Sequence, residues 1–238
     1  MTQPAAQPPD RTAVVTGAGG GLGAAVVSAL RDAAMRVIAV DRTVAALSEL
    51  PSEVVRETCD LTDPASVDAL FGRVSASHGR IDAVVHTVGA FRGGAIVDST
   101  VEDYRMLLDV NLGTAWWVSR AAAVAMKDGG GAIVHIGARN GVEPLAGAAA
   151  YVITKAAVVH LTRTLDAELA GSGVRVNTVL PGLIDTPANR AALPAATMAR
   201  AVRPEAIATV IAFLVSTDAS LVSGAVIPVY GGGDPTRG

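Results

Sequence analysis

The stretch Thr12–Asp41, TAVVTGAGGGLGAAVVSALRDAAMRVIAVD, decides the fold. It opens with a short β-branched apolar run, Thr12–Thr16, turns through a glycine cluster, and continues as a helical segment from about Gly21 to Ala33. A second apolar run, Arg36–Val40, ends in Asp41. Strand, glycine turn, helix and strand in about thirty residues make a βαβ unit. Short continuous apolar runs read as strands buried on both faces, the pattern of a parallel sheet.

The glycines of Thr16-Gly17-Ala18-Gly19-Gly20-Gly21-Leu22-Gly23 stand directly after a strand and open a helix. Taken alone they could be a plain glycine-rich turn. In this position they also permit close backbone approach to a pyrophosphate, which a helix N-terminus stabilises. Gly17, Gly20, Gly21, Leu22 and Gly23 are therefore candidate cofactor contacts. Asp41 lies twenty residues after Gly21, at the end of the second strand. Its carboxylate can accept hydrogen bonds from ribose hydroxyls and would repel a 2′-phosphate. NAD(H) is expected in preference to NADP(H), although Arg42 beside it leaves some room for a phosphate.

The alternation continues along the chain. Thr43–Leu50 reads as a short helix, Glu53–Cys59 as a strand, and Asp63–His78 as a helix with Asp63 as N-cap and Pro64 at its first position. Ile81–His86, Ala132–Ile136, Val174–Leu180 and Ala225–Val229 read as strands. Val101–Met126, Ala150–Ala170 and Pro204–Val215 read as helices, and Pro181–Arg203 as a loop with at most short helix. This predicts an α/β, Rossmann-like, doubly wound parallel sheet of about seven strands with helices on both faces. One domain is expected over residues 12–238, after a Pro-rich flexible arm over residues 1–11.

A second stretch carries the chemistry. In Ile133–Lys155, IVHIGARNGVEPLAGAAAYVITK, Tyr151 and Lys155 stand one helical turn apart, so phenol and ammonium share a face. A lysine beside a tyrosine is expected to lower the phenol's pKa, which suits a general acid/base near neutral pH. Lys155 is one of two lysines in a chain that otherwise uses arginine, and Tyr151 one of three tyrosines. A coincidental pair is improbable on those counts.

With Asp60-Leu61 after the third strand and Asn111 in the long helical stretch, the chain resembles the short-chain dehydrogenase/reductase family from Thr12 to about Gly232. The glycine pattern and Tyr151-x-x-x-Lys155 carry the resemblance, with Pro181-Gly182-x-Ile184-x-Thr186 and Ser223-Gly224-Ala225-x-Ile227-Pro228-Val229-x-Gly231-Gly232. The resemblance implies that Asp60 and Leu61 flank the adenine and that Val88-Gly89 lines the ribose. Pro181, Gly182, Ile184 and Thr186 would close over the nicotinamide. Lys155 would hold the nicotinamide ribose, Tyr151 would exchange the substrate proton, and Asn111 would hold a water connecting Lys155 to solvent. The reaction implied is hydride transfer between NAD(H) and a carbonyl/alcohol pair or an activated C=N. A homotetramer or homodimer is implied too, built on the Val101–Met126 and Ala150–Ala170 helices.

Two positions depart from the family. His86-Thr87-Val88-Gly89 stands where the family usually has Asn-Asn-Ala-Gly, and His86 is read as a structural replacement. Ala138 stands thirteen residues before Tyr151, where the family has its catalytic serine. Losing such a donor typically costs about 10²–10³ in rate when nothing replaces it. Arg139, Asn140 or a bound water could supply the donor. Alternatively the substrate needs less electrophilic help, or the chain binds a dinucleotide as a scaffold or redox sensor with little turnover. Gly137-Ala138-Arg139 and Leu180-Pro181 to Asp185-Thr186-Pro187-x-Asn189-Arg190 are locally similar to quinonoid dihydropteridine reductases, which also lack the serine. Substrate contacts are expected from Phe91, Arg92, Ala138, Arg139, Asn140, Glu143, Asn189 and Arg190. Arg92, Arg139 and Arg190 together could bind an anion.

Composition bounds the rest. Of 238 residues, 50% are hydrophobic and only 3% aromatic, so the core must be built from Ala, Val, Leu and Ile. A net charge of −3 with no basic run argues against nucleic acid or an acidic membrane surface. The single cysteine, Cys59, rules out an intrachain disulfide framework and fits a reducing compartment. No targeting segment is read in Met1–Asp10, and the glycines within Ala13–Leu30 argue against a membrane helix. A cytoplasmic protein acting on a small molecule, with no metal site, is the expectation.

Overall fold

The apolar runs fold as strands β1 (Thr12–Thr16), β2 (Arg36–Asp41), β3 (Val55–Thr58), β4 (Ala83–His86), β5 (Gly131–Ile136), β6 (Val174–Pro181) and β7 (Val226–Val229). The structure is a computed structural model that describes residues 11–231. All seven strands pair in parallel in the order β3-β2-β1-β4-β5-β6-β7. The order reverses between β1 and β4, and at that reversal an open α/β sheet leaves a crevice beyond its strands' C-terminal ends. The doubly wound sheet expected from the sequence is present. The expected N-terminal arm lies outside the described residues, apart from Arg11.

Side chains alternate across the strands. Ala13, Val15, Val37 and Ala39 face one layer, with helices α1 (Gly21–Asp32) and α8 (Pro204–Val215). Val14, Ile38 and Val40 face the other, with α2 (Pro64–His78), α4 (Thr114–Met126) and α5 (Ala149–Glu168). Helix α2 starts as its sequence suggests, Asp63 accepting from the amides of Ala65 and Ser66 ahead of Pro64. The Pro181–Arg203 segment holds two short helices, α6 (Pro187–Ala192) and α7 (Ala195–Met198). Among the described residues no helix is long and apolar enough to cross a membrane.

Two expected elements differ. Thr43–Leu50 forms only a 3₁₀ turn at Ala45–Leu47, cut short by Pro51. The long helical stretch is not continuous: α3 (Val101–Leu107) passes into a π turn, Leu108–Gly113, before α4 begins. A π turn adds a residue to one turn and rotates the side chains that follow it. Here it carries Asn111, buried at 1% exposure, toward the sheet's crevice.

Two histidines stand side by side in the core, His86 on β4 paired with His135 on β5. The Thr114 hydroxyl donates to the Val110 carbonyl, so its oxygen accepts from His86 Nε2, and Nδ1 accepts from Thr16. His135 takes the opposite tautomer. The Thr162 hydroxyl donates to Val158, leaving its oxygen for Nδ1–H, while Nε2 accepts from Ser119. Both rings are saturated as neutral imidazoles. Burial, first of all, pushes His135 down to about 4 and His86 well below 6.5.

Because the folded pKa values are depressed, the unfolded chain binds more protons between about pH 4 and 6.5, and stability falls as pH falls through that window. His135 alone is expected to remove about 2 kcal/mol between pH 7.5 and 5. Denaturant unfolding of wild type and His135→Asn at both pH values checks this. The variant should lose clearly less stability on acidification, and an equal loss in both would contradict it.

Candidate active site

The glycine turn between β1 and α1 leaves space only because side chains are missing. Gly17 has φ +74, and a Cβ there would fall 2.8 Å from Thr87 Oγ1. At Gly23 a Cβ would fall 2.1 Å from the Gly17 carbonyl oxygen, so the helix start could not close onto the loop. Helix α1 begins after Gly20 with no side-chain cap and no acidic residue in its first turn, leaving donor amides for an anion. Asp41, at the end of β2, accepts from the Gly19 amide at 3.0 Å and the Arg42 amide at 2.7 Å. Its carboxylate is thereby pinned against the glycine loop.

The remaining residues expected at a dinucleotide converge on the same crevice. Asp60 accepts from the amide and hydroxyl of Thr62, which hold its carboxyl below the usual range. Leu61 is buried, and Val88 packs against the same core layer. Pro181, the last residue of β6, and Gly182 lie along β7, with the Gly182 amide donating to the Val229 carbonyl. Ile184 bridges to Val202, and Thr186 caps α6 by accepting from the Asn189 amide. A Cβ at Gly21 would fall 2.9 Å from Thr186 Cγ2, so this segment folds across the glycine loop. An open backbone, an uncapped helix start and a carboxylate at the end of β2 together fit a nicotinamide dinucleotide.

Lys155 is buried at 5% exposure, and its Nζ donates to the Ile136 carbonyl at 3.0 Å. Burial without a carboxylate partner lowers its pKa to about 8. Gly89 makes the room: a Cβ there would fall 2.9 Å from Lys155 Nζ and 3.2 Å from Asn111 Oδ1. Asn111 Nδ2 donates to the Ala90 carbonyl and to Thr154 Oγ1, and its Oδ1 accepts from the Ala90 amide. Thr154 in turn donates to the Tyr151 carbonyl. Asn111 thus ties the loop after β4 to α5. Both its N–H groups are spent, so only Oδ1 and its main chain remain for the water assigned to it.

One expectation is corrected. Lys155 was expected to lower the pKa of Tyr151, whereas burial raises it and no charge offsets the rise. Helical side chains lean back along their helix, and the ammonium is held at the end of β5 by a main-chain carbonyl. The Thr154 bond and the Ile136 partner were both missed. A hydroxyl residue directly before the lysine was the available signal for the first, and a main-chain acceptor leaves none in a sequence.

On the substrate side, Ala138 follows β5 in extended conformation with 7% exposure. Phe91 sets its ring edge-on to Tyr151, centroids 4.9 Å apart. The three arginines each have a carboxylate. Arg92 pairs with Asp103 at 3.2 Å, Arg139 with Glu143 at 2.5 Å, and Arg190 with Asp185 through two contacts at 2.5 and 2.8 Å. Arg139 also lies over the Tyr230 ring. Asn140 sits in the turn Arg139–Gly141, half-buried, with no side-chain hydrogen bond among the described residues. Asn189 donates to the Ile184 carbonyl and is structural in this arrangement. His86, enclosed by Thr16 and Thr114, is no base for the crevice.

Comparison with known proteins agrees with this geometry. A family model described as enoyl-(acyl carrier protein) reductase matches residues 17–233. A meso-2,3-butanediol dehydrogenase of Serratia marcescens is 31% identical, with 96% of each chain covered. A cis-4-hydroxycyclohexanecarboxylate dehydrogenase of Sinomonas cyclohexanicum is 37% identical over 94% of this chain and 96% of its own. A solved short-chain type dehydrogenase/reductase from Mycobacterium ulcerans superposes with a TM-score of 0.88 at 33% identity, covering 94% of this chain and 89% of its own. A glycine cradle, a Tyr–Lys pair on one helix and this sheet order coincide with those likenesses over nearly the whole length, and the chain belongs to the short-chain dehydrogenase/reductase family of oxidoreductases.

Proposed function

We propose that the chain is an NAD(H)-dependent oxidoreductase that interconverts a carbonyl, or an activated C=N, with its reduced form. The observation that carries this reading is the buried Lys155 ammonium beside the side-chain-free Gly89, one helical turn from Tyr151 and next to the glycine cradle. The dinucleotide supplies or accepts the hydride. Tyr151 gives the proton to the substrate oxygen in reduction and takes it in oxidation. Lys155 binds ribose hydroxyls and holds positive charge in a site of low dielectric. Asp41 supports NAD(H) over NADP(H), because its carboxylate stands where a 2′-phosphate would bring about two further negative charges. Gly17, Gly20, Gly21, Leu22, Gly23, Asp60, Leu61, Val88, Pro181, Gly182, Ile184 and Thr186 complete the binding surface in this reading.

A cytoplasmic homotetramer or homodimer belongs to the same reading. Trp116 and Val124 on α4 and Ile153 on α5 are 52%, 64% and 63% exposed, which supports burial against a second copy. The competing reading, a dinucleotide-binding scaffold or redox sensor, rests on Ala138 alone.

Tyr151→Phe is expected to reduce turnover with NADH by at least about 10²-fold while leaving NADH affinity nearly unchanged. Equal turnover in both proteins would contradict the role given to Tyr151. Substituting Asp41→Ser should narrow or reverse the preference for NADH in kcat/KM, and a wild type that uses NADPH as well as NADH would overturn the argument from Asp41.

The pH dependence of carbonyl reduction follows from Lys155. Its folded pKa of about 8 lies below the ordinary 10.5, so the ammonium is intact below pH 8 and its charge is lost as pH rises through that value. Tyr151 is raised and stays protonated over the same range. Steady-state reduction should therefore be flat near neutral pH and decline above about pH 8; a rise there would assign the titration to another group. Ala138→Ser is expected to increase turnover of simple ketones without changing NADH binding, and no change would mean the site already has a donor.

A further inference from the structure

Phe91 is 62% exposed, yet it is held more firmly than a loose surface ring. The residue before it, Ala90, is fixed through both its amide and its carbonyl by Asn111, at 2.7 and 3.0 Å. Three residues later, the Gly94 amide donates to the Gly147 carbonyl at 2.6 Å, and Gly94 bridges to Ala148. Between these fixed points the ring lies against Gly93, where a Cβ would fall 3.5 Å from it, and edge-on to Tyr151. An aromatic side chain held with one face to solvent beside an acid/base residue offers apolar area at little conformational cost.

The surroundings have matching chemistry. The segment joined to this loop at Gly147–Ala148 exposes Val142 and Leu145, and the wall after β5 ends in the methyl of Ala138. The three arginines expected to bind an anion each face a carboxylate instead, Arg92 with Asp103, Arg139 with Glu143 and Arg190 with Asp185. An anionic substrate reaching one of these arginines would bind beside a carboxylate, and like-charge repulsion would weaken it. With no hydroxyl at residue 138, a substrate whose carbonyl is already electron-poor needs the least help as charge develops on its oxygen.

Resting on the oxidoreductase reading, we propose that Phe91 selects the substrate, and that the substrate is a neutral, apolar carbonyl compound with a second carbonyl next to the reacting one. In reduction the reacting carbon gains a C–H bond from the hydride of a reduced nicotinamide dinucleotide, which leaves oxidised. The C=O π pair moves to oxygen, and the oxygen takes the Tyr151 proton, which solvent restores. The product is a neutral hydroxyketone.

The test uses the full chain with NADH and three phenyl carbonyls: 1-phenylpropane-1,2-dione (neutral, activated), phenylglyoxylate (anionic, activated) and acetophenone (neutral, unactivated). The dione should exceed phenylglyoxylate in kcat/KM by at least about tenfold and acetophenone by about a hundredfold. Phe91→Ala should raise KM for the dione about tenfold with NADH affinity little changed, and Phe91→Leu should recover part of the loss. Phenylglyoxylate used as well as the dione, acetophenone used as well as the dione, or an unchanged KM in Phe91→Ala would each overturn the proposal. Calorimetry with the unreactive pair 2-phenylacetamide and phenylacetate separates it from the oxidoreductase reading. If no carbonyl is reduced, that reading falls. Tighter binding of the amide then upholds the neutral, apolar mouth, and tighter binding of the carboxylate refutes it.

Discussion

A lone ammonium buried at the end of a parallel sheet is the constraint to which the rest of the site answers. Among the described residues Lys155 has one hydrogen-bond acceptor, the Ile136 carbonyl, and no carboxylate partner. Removing such a charge from water costs stability, and a shift from 10.5 to about 8 corresponds to about 3 kcal/mol at neutral pH. The neighbourhood is arranged around that cost. Gly89 gives up a side chain to admit Nζ, and Gly141 lets the turn after Ala138 lie against the helix backbone at Lys155. His86 and His135 are kept neutral nearby, where the ammonium adds to the burial that depresses them. A cation held at this expense in a crevice is better explained by a functional role than by stability.

The loop after β4 is the second part of the arrangement. It is fixed by Asn111, which stands in the π turn that interrupts the helical stretch. Asn111 then joins three pieces: the loop through Ala90, helix α5 through Thr154, and through Thr154 the Tyr151 carbonyl. Cofactor side and substrate side are thereby one mechanical unit, since Gly89 precedes Ala90 and Phe91 follows it. In the proposed reading the catalytic side chains stand on a helix and the substrate contacts on a clamped loop, a common division between precision and variability.

Much of this was legible in the sequence for identifiable reasons. Strands buried on both faces leave unbroken apolar runs, so Thr12–Thr16, Arg36–Val40 and Ala132–Ile136 announced themselves. Glycine turns and N-caps mark element boundaries, as Asp63-Pro64 did for α2. What was hidden depends on distant or main-chain partners. The π turn has no periodic signature, the Ile136 carbonyl belongs to no residue type, and the carboxylates facing the arginines stand four to eleven residues away. The same ignorance of where Nζ points made the Tyr151 shift come out with the wrong sign, because helical spacing fixes which face a side chain occupies and not what it bonds.

Desolvation of the Lys155 ammonium without a carboxylate among the described residues is the central feature of the site, and the chain's composition makes it directly measurable. Only two lysines are present, and Lys127 is exposed. Labelling lysine Cε with carbon-13 and following its resonances with pH, with Lys127→Arg to assign them, reads the Lys155 titration without catalysis. A midpoint near 8 is expected from its burial. A midpoint at the ordinary 10.5 would mean that the charge is solvated or paired, and the site as built here would be wrong.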